Sequence, residues 1–108
     1  MALVGLKHGL EMDRVDHRIY HAIAVVSSIL DPYGEPVVTS LRDGIHMNAS
    51  LHYKGLAVDF RAHHMNAESQ RIALGEIKAK LGKDYDVILH GEGQGIHFHI
   101  EYDPKVKS

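Results

Sequence analysis

The stretch that most limits how this chain can fold is IHFHIEY (96–102), which alternates strictly. Ile96, Phe98, Ile100 and Tyr102 share one parity; His97, His99 and Glu101 share the other. A period of two means a strand with one apolar and one polar face. YDVILH (85–90) reads as the strand before it, and the glycine-rich GEGQG (91–95) is short enough to close the two into a hairpin. GLAVDFRA (55–62) alternates as well, with Leu56, Val58 and Phe60 opposed to Ala57, Asp59 and Arg61. EPVVTS (35–40) is short, apolar and β-branched, so it reads as another strand, and LRDGIHMNAS (41–50) reads as a polar loop.

Two segments carry helical spacing instead. In residues 13–30 the apolar positions Val15, Ile19, Ala22, Ile23, Val26, Ile29 and Leu30 follow a 3/4 repeat, with Asp13 as N-cap and a stop at DPYGEP. Residues 66–82 form a second, less regular helix on Ile72, Leu74, Ile77 and Leu81, with Asn66 as N-cap and Gly82 closing it. The order helix, strand, strand, helix, strand, strand implies an α+β fold: a central, mainly antiparallel sheet with flanking helices.

At 108 residues the chain suits a single domain, 1–108. It has no cysteine, so disulfides, cysteine zinc fingers and thiol nucleophiles are excluded. A formal net charge of -2 gives no reason to expect nucleic-acid binding. No stretch is long and apolar enough to suggest a membrane span, and MALVGLKHGLEMD lacks the apolar core of a signal peptide.

The chain does hold ten histidines. His17 and His21 have the i, i+4 spacing of a two-histidine site, but no glutamate follows His17, and they read as solvated helix-face residues. His52, Asp59, His97 and His99 are different. They lie on two segments whose polar faces can meet in an antiparallel sheet. Two imidazoles and a carboxylate would supply the three N/O ligands of a catalytic zinc, leaving one position open. Such a site needs a general base. Glu92, in the flexible GEGQG loop, is the first candidate and Glu101 the second. Each residue also has a plain structural reading: an exposed strand face for His97 and His99, an ion pair of Asp59 with Arg61 or Arg42, a solvated loop carboxylate for Glu92.

Ser50-x-His52-x-x-Gly55-x-Ala57-x-Asp59 resembles the signature of the M15 zinc peptidases. That family includes D-Ala-D-Ala carboxypeptidases and dipeptidases, and phage endolysins that cut L-Ala–D-Glu bonds. His97-x-His99 followed by IEYDP is similar to its C-terminal H-x-H strand, and the resemblance covers roughly residues 35–104. It implies the hedgehog/DD-peptidase fold, one Zn2+ per chain on His52, Asp59 and His99, and His97 beside the metal. It implies Glu92 as catalytic acid/base, Arg42 as the substrate-carboxylate arginine, and Ser50 near the substrate. The expected substrate is the stem peptide of bacterial peptidoglycan. The expected setting is a soluble monomer that binds neither nucleic acid nor membrane, made in the cytoplasm and released to the wall as a phage-type lysis or virion enzyme. One departure stands out: several members place the acid three residues before a histidine, where this chain has Gln94 or Ile96. A chain of this fold without the base would be a non-catalytic zinc-containing module that binds peptidoglycan or a protein. A histidine-based metal buffer is a third, weaker reading.

Overall fold

The computed structural model describes residues 5–6, 16–43 and 56–104; of residues 5–6 and 42–43 only the backbone is described. The elements are β1 (Gly5–Leu6), α1 (His17–Leu30), β2 (Val37–Asp43), β3 (Leu56–Arg61), α2 (Ala67–Leu81), β4 (Tyr85–His90) and β5 (His97–Tyr102). Short 3-10 turns follow α1, at Asp31–Tyr33, and precede β5, at Gly93–Gly95. The sheet order is β1-β2-β3-β5-β4. β2, β3, β5 and β4 pair antiparallel, as the sequence pattern implies. The two-residue β1 adds a parallel edge on β2 that no sequence pattern announced.

β5 lies between β3 and β4 and pairs with both. It makes a hairpin with β4 and an antiparallel ladder with β3, so the chain leaves β3, crosses through α2, returns in β4 two positions away and fills the gap with β5. One face of this sheet is apolar. Val58, Phe60, Val87, Phe98 and Ile100 pack there with Ile19, Ile23, Val26 and Leu30 of α1 and Ala73, Ile77 and Leu81 of α2. Burying two phenylalanines and this many branched aliphatics supplies the main driving force for the fold.

Three boundaries differ from the expectation. First, α1 starts at His17, capped by Asp16 rather than Asp13, which lies outside the described residues. The Asp16 carboxylate accepts the Arg18 backbone N–H at 2.8 Å and also holds the Arg18 guanidinium. Second, β2 runs on through Leu41–Asp43, where a loop was expected, because these residues pair with Val58, Ala57 and Leu56. A register shift between Val38 and Ser40 inserts one extra residue into β2. This bulge breaks the period-2 pattern, so the sequence reads as a strand that stops early. Third, the buried stripe of α2 is Gln70, Ala73, Ile77 and Leu81, while Ile72 is exposed. Gln70 earns its buried place by donating to the carbonyls of Ala62 and Met65.

No helix among the described residues is long and apolar enough to cross a membrane.

Candidate functional site

In an antiparallel ladder, directly opposed residues project from the same face. The β3–β5 register opposes Asp59 to His99, Arg61 to His97 and Ala57 to Glu101. On the other side of β5, Ile88 opposes His99, His90 opposes His97 and Asp86 opposes Glu101. The sheet therefore gathers polar residues from three strands on the face away from the helices.

The centre of this face is a short contact: His99 Nδ1 lies 2.7 Å from Asp59 Oδ1. Both side chains are mostly shielded, at 23 % and 21 % exposed. His99 Nε2 lies 3.3 Å from Glu101 Oε1, so each ring nitrogen faces a carboxylate. His97 approaches from the adjacent row, with Nε2 3.8 Å from Asp59 Oδ2. Its other nitrogen, Nδ1, donates to the Gly95 carbonyl at 2.9 Å, which ties the ring to the hairpin loop. The plain alternative of an ion pair between Asp59 and Arg61 does not form, and the Arg42 side chain lies outside the described residues; Asp59 turns to imidazoles instead.

The other expected site residues divide into two groups. Glu92 opens the 3-10 turn before β5, is exposed, and makes no capping contact with its side chain. Glu101, the second candidate, faces His99 from the ring nitrogen opposite Asp59. Arg42 takes a β2 position paired with Ala57, a strand position rather than the expected loop. Ser50 and His52 lie outside the described residues. Among the described residues, no group of three or more His, Cys, Asp or Glu side chains is arranged to hold a metal ion. What those residues contain is the Asp59–His99 pair with His97 and Glu101 around it.

Two residues on this face escaped the reading of the sequence. His90 packs edge-on against His97, with ring centroids 5.4 Å apart. The alternation of YDVILH and the hairpin together could have placed it there. Arg61 was read only as a partner for Asp59. Its guanidinium is felt nearby: the His64 imidazole is held below its ordinary pKa, first by burial and then by the Arg61 and His63 charges.

Two recesses border the site. A groove of about 830 Å³ runs along β4 and reaches His99 and Glu101, with Lys78, Lys83 and Ile88 on its walls. A smaller cleft of about 240 Å³ lies on the other side, against Arg61 and His97.

Comparison with models of known protein families, with curated proteins and with solved structures returns no match.

Proposed function

We propose that this chain is a zinc-dependent peptidase of the hedgehog/DD-peptidase fold that hydrolyses the stem peptides of bacterial peptidoglycan. The observation that carries the reading is the 2.7 Å meeting of Asp59 and His99. These residues come from the two separate motifs that resemble the M15 signature, and the β3–β5 register makes them direct partners. Their donor chemistry fits zinc: a carboxylate and an imidazole converge on an open sheet face, with no described lysine or arginine neutralising the carboxylate. His52 would be the third ligand, with one zinc per chain.

When bound, zinc supplies a lowered pKa for its water and polarises a substrate carbonyl. The remaining work falls to the chain's own groups. Glu92 takes a proton from the attacking water and returns one to the leaving amine. His97, held through Nδ1 by the Gly95 carbonyl, offers Nε2 to the oxygen on which negative charge develops. Glu101 orients His99 by accepting from Nε2, the usual arrangement behind a metal-binding imidazole. Arg42 binds a substrate carboxylate and Ser50 shapes the substrate side. The groove along β4 is large enough for a few residues of extended peptide. The natural setting for such an enzyme is a monomer released to the cell wall during phage-type lysis or from a virion.

One observation favours a second reading. Glu92 stands exposed, while Glu101, the other candidate base, lies 3.3 Å from His99 Nε2. If Glu92 does not reach the reacting water, the chain is a zinc-containing module that binds peptidoglycan or a protein without cutting it. Glu92→Ala separates the two. Purified peptidoglycan is digested and the released muropeptides are read by mass spectrometry, which also names the bond cut. Loss of cleavage with zinc retained supports the enzyme and its base. Unchanged cleavage removes Glu92 from the mechanism. No cleavage by the unaltered chain leaves the binding module.

A further inference from the structure

Arg61 sits on β3 next to Asp59's row, opposed to His97 across the ladder. Its Nε is buried and has no hydrogen-bond partner among the described residues. A buried donor left unmade is costly, and a persistent one calls for a ligand or a reason. The same side chain lines the cleft of about 240 Å³, together with Thr39, His63, Gln94 and His97. No carboxylate is among the described lining residues. Asp59, the nearest acidic side chain on the strand, is already engaged with His99 and His97.

We propose that this cleft binds a carboxylate group of a peptide ligand, with the Arg61 guanidinium as its anchor. The inference deepens the reading of the Asp59–His99 face as a peptidase site and rests on it for the identity of the ligand as a peptide. A guanidinium presents a planar fork of N–H donors that matches a carboxylate. The Thr39 hydroxyl, the Gln94 amide and the His63 ring can each donate to the same anion. The cleft is smaller than the roughly 300–1,000 Å³ of sites that enclose a whole ligand, so it accommodates a group and not a complete peptide. Two strand positions separate Arg61 from Asp59, a span of roughly 7 Å. A peptide laid along the face would place the anchored carboxylate within about two residues of Asp59. This contact is separate from Arg42, which belongs to β2. The carboxylate can be a peptide's C-terminus or the side chain of a D-Glu residue.

The test uses the full chain and two pairs of probes. One pair is D-Ala-D-Ala and its C-terminal amide. The other is L-Ala–D-Glu and L-Ala–D-Gln, both with the C-terminus amidated. Binding is followed by the Arg61 Nε–Hε resonance in 15N NMR, which Arg61→Lys identifies by its loss. The expected result is a shift of that resonance with a carboxylate probe and none with the matching amide; which pair responds names the source. Arg61→Lys should then weaken the carboxylate probe about tenfold or more. Gln94→Glu, on the exposed rim, should weaken it by adding a like charge and keeps the test independent of any folding defect at Arg61. Equal binding of acid and amide, or no response to any probe, overturns the proposal. The two readings fail separately. Carboxylate binding without peptidoglycan cleavage removes the peptidase and keeps the cleft. Cleavage with no probe bound and an unaltered KM in Arg61→Lys does the reverse.

Discussion

Asp59 and His99 are direct cross-strand partners, and their side chains meet at 2.7 Å on the sheet face away from the helices. The backbone ladder fixes this approach before any side-chain rotamer is chosen. The side-chain contact is partly open to solvent, so the stability of the domain rests on the opposite face, where Phe60 and Phe98 are fully buried. Changes at the site should therefore alter binding far more than folding.

That separation makes the metal proposal measurable. Asp59→Asn should abolish stoichiometric zinc binding by calorimetry while circular dichroism and the unfolding midpoint stay near those of the parent. Glu101→Gln should keep zinc but weaken it roughly 10–100-fold, the usual effect of losing the group behind a metal-binding histidine. Tight zinc binding by Asp59→Asn would remove Asp59 from the ligand set.

The hairpin loop depends on Gly91. Its φ is +95°, and a Cβ there would lie 2.6 Å from the Gly95 carbonyl oxygen. A backbone oxygen at the neck of a tight loop cannot move aside as a flexible side chain can. Gly91→Ala should destabilise the domain by roughly 1–3 kcal/mol, from strain at a left-handed position. Urea unfolding measures it. Because Gly95 also holds His97 Nδ1, the same variant should disturb the His97 ring signals in NMR. A stability within error of the parent would mean that the loop has another conformation open to it.

Much of this arrangement can be read from residue order, for identifiable reasons. β4 has the bounds that YDVILH suggests, and β5 starts one residue inside IHFHIEY, because alternation is a local property. α2 is legible through its caps: Asn66 accepts the Ser69 N–H, and Gly82 ends the helix at φ +80°. β2 is misread because the bulge at Thr39 shifts parity in mid-strand. β1 is too short to carry a period, and its parallel pairing to Val37 and Val38 is a long-range event. At the site, the shared parity of Asp59, His97 and His99 is local, but the register that opposes Asp59 to His99 and not to His97 is not. The same limit hid Arg61. An orphaned donor is a property of the packed structure, and i, i+2 spacing to Asp59 suggested an ion pair instead.

Asp16 offers a test of folding that leaves the site untouched. It caps α1 through the Arg18 N–H, and its side chain also binds the Arg18 guanidinium. The hydrogen bond from that guanidinium is the main reason its carboxyl is held below the ordinary value of 3.8. Burial opposes the shift without reversing it. A carboxylate whose pKa is lower in the folded state binds fewer protons there than in the unfolded chain. Its contribution is therefore complete above about pH 4 and fades as the pH falls through the depressed folded value. At neutral pH, Asp16→Ala should cost about 1 kcal/mol, the usual loss for an N-cap, measured by urea unfolding. The difference between Asp16→Ala and the parent should narrow as the pH is lowered below 4. Asp16→Asn should recover most of the neutral-pH loss, because its side-chain oxygen can still accept the Arg18 N–H, and it should remove the acid dependence. A gap between Asp16→Ala and the parent that stays constant down to pH 2 would show that the Asp16 charge contributes nothing to the cap.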